Sequence, residues 1–143
     1  IADLKIYDVK KLAWRLLKDK LIPVNRKGRL TGLSSLEIAE SRLRNDENVI
    51  IFPQGTRLAK VRPDDYLRSP KLGKPMGKFR SGFAQLVINV PDVILLPMWS
   101  EINSFLDVRF VVGKPLAFEP NTTREEIVFV AQRAVLELAD KAG

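Results

Sequence analysis

Residues 49–52 form an unbroken apolar run, VIIF, that ends directly in the turn residues PQG. A run of this kind predicts a strand covered on both faces, which is typical of the central strands of parallel sheets. Because Phe52 precedes Pro53, its backbone is held extended, and Pro53 cannot continue a hydrogen-bonded ladder. The sequence therefore predicts a buried strand at 48–52 that needs helices on both sides of its sheet.

Helical and strand patterns alternate along the rest of the chain. Apolar stripes predict helices at 8–18, 34–46, 79–89 and from 122 or 123 to about 141. The second of these begins with a capping box, Ser34 to Glu37. Short apolar runs predict further strands at 20–24, 92–99 and 107–113. This order predicts an α/β fold with a mostly parallel sheet flanked by helices.

Composition excludes several classes of protein and of site. The 143 residues are enough for a single domain with one core. The chain has no cysteine and no histidine, so disulfides, thiolate nucleophiles and the commonest general base are all excluded within it. The longest apolar runs fall far short of the roughly 18 residues that a membrane-spanning helix needs. The chain opens on Ile1 in a stretch typical of a domain interior, so we expect an incomplete domain, its C-terminal two thirds.

Positive charge is concentrated in one part of the chain. The net charge is +7, and residues 57–80 hold eight cations against two aspartates, which leaves +6 in that stretch. Prolines, glycines and charges at 58–78 predict a basic surface loop, called the basic insert below. A field of this sign favours an anionic partner such as a phosphate ester or an anionic membrane surface. Nucleic acid is not expected, because aromatic residues are sparse there and no recognised nucleic-acid module is present.

The turn after the apolar run carries polar groups that a simple chain reversal does not need. Gly55 permits a close approach of backbone or a positive φ. Thr56 offers a hydroxyl, Gln54 an amide and Arg57 a planar fork that matches two phosphate oxygens. These groups predict an oxyanion cradle, and the competing interpretation is a structural turn with one exposed arginine.

Three blocks of the sequence are similar to one family in order and spacing. The stretch IIFPQGTR resembles the FPEGTR block of the glycerolipid acyltransferases of the lysophosphatidic-acid acyltransferase type. LIPVNRKGR resembles the family's preceding block, which closes on an arginine, here Arg26. KFRSGFAQLVINVPDVILLPMW resembles the stretch after the signature and supplies the proline of the fourth block, here Pro97. The resemblance covers roughly residues 9–118, and the basic insert looks longer than the family's usual connection.

The resemblance implies a fatty acyl transfer from an acyl thioester, of coenzyme A or acyl carrier protein, to a lysophospholipid such as 1-acylglycerol 3-phosphate. No cofactor is implied beyond that co-substrate. The residues it implies for binding the acceptor phosphate are Arg26, Gln54, Gly55, Thr56 and Arg57. It implies a pocket wall of Phe52, Pro53 and Pro97, with a basic rim of Lys78 and Arg80. We expect a membrane-associated protein on a reducing side, either cytoplasmic or organellar.

Two departures and one absence qualify the resemblance. Gln54 stands where the family usually has glutamate, and Leu58 stands where a serine is common. The family's catalytic histidine and aspartate, in an H-x-x-x-x-D block, belong upstream of Arg26, and no histidine occurs there. Either that block precedes the sequence given, or the protein is a non-catalytic acyltransferase-like subunit that binds lipid or acts as a scaffold in a larger assembly. The residues encoded immediately before Ile1 distinguish the two.

Overall fold

A computed structural model describes residues 20, 22, 34–55 and 58–142 of the chain. Three α-helices occur in these residues: α1 (Ser35–Arg44), α2 (Gly82–Asn89) and α3 (Arg124–Lys141). Four strands form two separate antiparallel pairs: β1 (Leu67–Arg68) with β2 (Pro75–Met76), and β3 (Met98–Ser104) with β4 (Asp107–Val112). Short 3₁₀ turns lie at Leu58–Lys60 and Pro63–Asp65.

The helices begin where their capping residues lie. The Ser34 hydroxyl accepts a hydrogen bond from the Glu37 backbone N–H at 3.2 Å, and the Glu37 carboxylate accepts one from the Ser34 N–H, so the predicted capping box is confirmed. Helix α3 has the same device, with Thr123 as N-cap and Glu126 as its partner. The sequence allows either Thr122 or Thr123 as the N-cap, and the structure selects Thr123. Helix α2 is shorter than predicted, since it begins at Gly82, but it ends before Pro91 as predicted.

The described core lies between α2 and α3. Phe83, Ala84, Ile127 and Ala131 are buried against one another, and Ile127 is 1% exposed. Five half-buried apolar residues surround this cluster: Phe79, Val87, Leu95, Phe118 and Val128. The ring of Phe79 meets Phe83 edge to face, with centroids 5.9 Å apart. Helix α1 contacts α2 at Asn89, whose carbonyl accepts a hydrogen bond from Arg44 at 2.7 Å and whose side-chain amide donates to Glu40 at 3.0 Å.

The predicted strand at 48–52 is wrong for this structure. These residues form no ladder, and the side chains of Ile50 and Phe52 are 77% and 84% exposed. An apolar run becomes a strand only when a neighbouring strand satisfies its backbone groups, and no described strand pairs with it. The predicted strand at 92–99 is largely wrong too, since regular pairing begins at Met98 after an isolated bridge between Leu95 and Leu116.

The sheets that the structure describes are antiparallel, so a mostly parallel sheet is not found there. Antiparallel pairs need only a short turn between neighbouring strands, and β3 and β4 are joined by two residues. Parallel pairs need distant segments to meet. The predicted helix at 8–18 lies outside the described residues, as does most of the predicted strand at 20–24.

The basic insert is more ordered than the loop predicted for it. The Asp140 carboxylate near the end of α3 accepts hydrogen bonds from the backbone N–H groups of Lys71 at 2.9 Å and Leu72 at 2.8 Å. The side chain of Lys74 forms an ion pair with Glu101 on β3, and Met76 is 1% exposed. These contacts hold the insert against α3 and β3.

No helix in the described ranges combines the length and the apolar character that crossing a bilayer requires.

Candidate phosphate-binding site

The turn after the apolar run is closed by a backbone hydrogen bond. The N–H of Gly55 donates to the Phe52 carbonyl at 3.2 Å, and Gly55 adopts a φ of +68°. Backbone of this kind favours glycine because it has no Cβ, so the predicted need for glycine here is confirmed. Pro53, Gln54 and Gly55 are half-buried, whereas Phe52 is exposed.

A second segment, residues 77–80, is bound to this turn and is called the strap below. The side-chain oxygen of Gln54 accepts a hydrogen bond from the Gly77 N–H at 3.1 Å. The Arg80 N–H donates to the Pro53 carbonyl at 2.8 Å. Gly77 is buried, and a Cβ built on it would stand 2.9 Å from the Gln54 oxygen. The turn and the strap therefore meet without room for a side chain at Gly77.

The strap places the Arg80 side chain directly over the turn. A Cβ built on Gly55 would stand 2.9 Å from Nε of Arg80 and 3.3 Å from its Cζ. The guanidinium thus occupies the space that glycine leaves open. Arg80 is exposed, and in residues 34–55 and 58–142 no carboxylate pairs with it. An exposed cation without an acidic partner is available to an anionic ligand.

The strap is also fixed to helix α3. The Phe79 N–H donates to the side-chain oxygen of Gln132 at 2.7 Å, and the Phe79 ring packs on the core. The strap therefore joins the core to the turn, so the position of the turn depends on α3. Lys78 lies between these anchors with an exposed side chain.

Pro97 lies beside Gly113, the residue directly after β4, and not in the turn itself. It is buried, and its carbonyl accepts a hydrogen bond from the Gly113 N–H at 2.9 Å. A Cβ on Gly113 would stand 2.9 Å from Cγ of Pro97 and 3.1 Å from Cδ1 of Leu138. Pro97 thus packs where β4 ends against α3. Its role as a pocket wall stays a prediction.

Three of the predicted phosphate ligands, Arg26, Thr56 and Arg57, lie outside the described residues. Their convergence on one phosphate stays a prediction. Of the predicted site, the structure brings together Pro53, Gln54, Gly55 and Arg80. Sequence reasoning missed that Gln54 holds Gly77, because the two are 23 residues apart and no local pattern links them.

Two carboxylates beside the basic insert are held in their charged form. Hydrogen bonds from Lys74 and then from the indole N–H of Trp99 lower the pKa of Glu101. For Asp140, burial raises the pKa, but hydrogen bonds from Ser69 and from the backbone N–H groups of Leu72 and Lys71 outweigh it, so the pKa is lowered. Both carboxylates therefore stay ionised at neutral pH and help to hold the insert.

A family model described as Acyltransferase matches residues 2–101, which is more than half of the chain. The chain belongs to the acyltransferase family. The match includes the signature IIFPQGTR, the strap and Pro97, and it confirms the resemblance drawn from the three blocks. Membership supports acyltransferase activity in general, with a lipid and an acyl donor as the substrates that the family suggests. No curated protein and no solved structure matches the chain at a significant level.

Proposed function

We propose that this acyltransferase transfers a fatty acyl group from an acyl thioester to the free hydroxyl of a lysophospholipid, with 1-acylglycerol 3-phosphate as the type of acceptor. The observation that carries the proposal is the signature turn inside the family match, closed at Gly55 and covered by the Arg80 guanidinium. A phosphate monoester carries close to two negative charges at neutral pH and suits a site built from guanidinium groups and backbone N–H groups.

Residues of this chain would bind the phosphate of the acceptor. Arg26 and Arg57 would hold the phosphate, with Gln54, Gly55 and Thr56 shaping the turn and Lys78 and Arg80 forming a cationic rim. Phe52, Pro53 and Pro97 would line the wall beside it. We propose that the full-length domain has the mostly parallel sheet typical of its fold class.

The chemical step exchanges one ester for another. The acceptor hydroxyl oxygen attacks the thioester carbonyl carbon, the new C–O bond forms, the C–S bond breaks, and the leaving thiolate takes up a proton. A base must accept the hydroxyl proton, and proton transfer of this kind typically contributes about 10²–10⁴ in rate. No residue of the 143 is histidine, so an upstream histidine with its aspartate would supply this base in the full-length protein.

We also propose that the protein works at an anionic membrane surface in a reducing compartment, cytoplasmic or organellar. Support comes from the +6 charge of residues 57–80, and from the contacts that hold Lys71 and Lys74 of the insert against α3 and β3. Each cation near an anionic surface contributes about 1 kcal/mol to membrane binding.

The test is thiol release from oleoyl-coenzyme A by the full-length protein, with and without 1-oleoylglycerol 3-phosphate. We expect acceptor-dependent release, and we expect Arg57→Ala to raise the acceptor KM or abolish turnover. Arg133→Ala is a matched control, because Arg133 is an exposed guanidinium on α3 that pairs only with Glu137 among the described residues. Unchanged kinetics for Arg57→Ala, or thiol release that ignores the acceptor, would refute the proposal.

A second candidate is a non-catalytic acyltransferase-like subunit that binds lipid within a larger assembly. The absence of histidine from all 143 residues favours it. An H-x-x-x-x-D block encoded just before Ile1 would exclude this alternative, and its absence from the full-length sequence would exclude the enzyme.

A further inference from the structure

The strap connects two residues that the resemblance assigns separately, Gln54 to the phosphate site and Arg80 to its basic rim. We infer that Arg80 contacts the acceptor phosphate directly, and that Gln54 is a positioning residue that holds Arg80 in place through Gly77. This inference rests on the proposed phosphate site and extends it by one ligand and one support.

The first step concerns the position of Arg80. Its backbone N–H is bonded to Pro53, and its Nε lies 2.9 Å from the place that a Cβ of Gly55 would take. The side chain therefore lies at the turn whose next two residues are the predicted ligands Thr56 and Arg57. No described carboxylate neutralises it, so its charge is available to a phosphate bound at this turn.

The second step concerns the atoms of Gln54. Its side-chain oxygen accepts from a buried backbone N–H, that of Gly77, and this bond leaves the oxygen engaged inside the protein. A buried N–H without a partner is costly, so the acceptor is needed to keep the strap against the turn. Glutamate at position 54 has an acceptor oxygen at the same length and would serve Gly77 equally well. The departure from the family's usual glutamate therefore preserves the support and changes only the charge.

The third step separates this role from direct contact. If Gln54 held the phosphate with its amide N–H groups, Gln54→Glu would place a carboxylate against the phosphate and weaken binding strongly. If Gln54 supports the strap, Gln54→Glu keeps the acceptor and binding is retained. Gln54→Leu should weaken binding if Gln54 supports the strap, because leucine removes the acceptor while keeping a similar volume.

The experiment measures binding by titration calorimetry in the full-length protein. The probes are 1-hexanoylglycerol 3-phosphate, which has a short acyl chain to limit micelle formation, and 1-hexanoylglycerol, which lacks the phosphate. Binding is the readout, so the result does not depend on whether the protein is catalytic. Inorganic phosphate serves as a competitor, to separate recognition of the phosphate group from recognition of the lipid.

For Arg80→Ala we expect the Kd for the phosphate probe to rise about 10-fold to 150-fold, the loss expected for one hydrogen bond to a charged group. Competition by inorganic phosphate should weaken by the same factor, and Arg80→Lys should recover part of it. Binding of 1-hexanoylglycerol should not change. Arg133→Ala is the matched control and should leave every Kd unchanged.

To test the positioning role of Gln54, Gln54→Leu is made alone and together with Arg80→Ala. We expect it to weaken binding of the phosphate probe when made alone. It should cause no further loss in the Arg80→Ala background, because two residues that act through the same contact are not additive. Gln54→Glu should weaken binding far less than Gln54→Leu, because it keeps an acceptor oxygen for the Gly77 N–H. Gly77→Ala disturbs the same bond from its other side and covers the case in which Gln54→Leu fails to fold, which circular dichroism will report.

The outcomes separate the inference from the proposed function. If Arg57→Ala weakens binding and Arg80→Ala does not, the phosphate site stands and the role of Arg80 is refuted. If Gln54→Glu weakens binding as much as Gln54→Leu, Gln54 is a direct contact and its positioning role is refuted. If neither arginine variant affects the phosphate probe, the proposed function itself fails.

Discussion

Gly55 and Gly73 form a matched pair for testing what the turn does. Both adopt left-handed backbone, with φ of +68° and +64°. A Cβ at Gly73 would meet nothing within 4 Å, whereas a Cβ at Gly55 would stand 2.9 Å from Nε of Arg80. Left-handed backbone costs other residues about 1–2 kcal/mol. Gly55→Ala and Gly73→Ala should therefore lower the free energy of unfolding by similar amounts, because the arginine side chain that the new methyl group would displace is long and exposed.

The two variants should differ in ligand binding. Displacing the Arg80 guanidinium from the turn removes a contact that we expect to be worth about 1.5–3 kcal/mol, or about 10-fold to 150-fold in Kd. Gly55→Ala should weaken binding of 1-hexanoylglycerol 3-phosphate by up to that factor, and Gly73→Ala should leave it unchanged. Urea denaturation gives the stability of each variant, and titration calorimetry gives its Kd.

A double-mutant cycle removes the remaining ambiguity. Gly55→Ala could also shift the backbone that leads to Thr56, so the same substitution is made in the Arg80→Ala background. If its effect passes through Arg80, it should add little there. Equal Kd values for Gly55→Ala and Gly73→Ala, or full additivity with Arg80→Ala, would refute the reasoning.

Three further predictions concern the scaffold. Ile127→Ala should lower the free energy of unfolding by about 2–5 kcal/mol in urea denaturation, because this side chain is 1% exposed, and Ile127→Val by about 0.5–1.5 kcal/mol; equal small losses would contradict tight packing there. Thr123→Ala should cost about 0.5–2 kcal/mol by the same measurement through loss of the α3 cap, while Thr122→Ala should be close to neutral, and the reverse order would show that the cap is misassigned. The lowered pKa of Asp140 means that its ionised form stabilises the docked insert above the unfolded carboxyl pKa of about 3.9, and that this stabilisation is lost as pH falls through the lower folded pKa. Hydrogen exchange at the Leu72 amide should therefore accelerate in acid, relative to its intrinsic rate, and at neutral pH in Asp140→Asn; protection that is independent of both would contradict the contact.

Local sequence signals predicted the three described helices, whereas the helix predicted at 8–18 stays a prediction. The capping boxes at Ser34 and at the start of α3 involve residues three apart, so their chemistry is complete within one turn of chain. The need for glycine at position 55 was likewise predictable, because it arises from the positive φ of that residue alone. The acyltransferase family was recognisable from three short blocks in order.

Contacts between distant residues were not predictable. The hydrogen bond from the Gly77 N–H to the Gln54 oxygen joins residues 23 positions apart, and the bond from the Lys71 N–H to the Asp140 carboxylate joins residues 69 positions apart. Any glutamine or aspartate in the chain could have served, and only the fold selects these. The strand predicted at 48–52 failed for a related reason, since its apolar pattern says nothing about which strand would bond to it.

The Asp140 carboxylate, in the last turn of α3, accepts hydrogen bonds from the basic insert and so connects the end of that helix to a charged segment far earlier in the chain. Ending the sequence at residue 139, which omits only its last four amino acids, would remove the Asp140 contact with the insert and leave every residue of the signature turn in place. Such a shortened protein should keep its fold around Ile127 yet expose the cationic segment to trypsin. The C-terminal boundary chosen for expression therefore decides how the charged segment is presented, although the two lie far apart in the sequence.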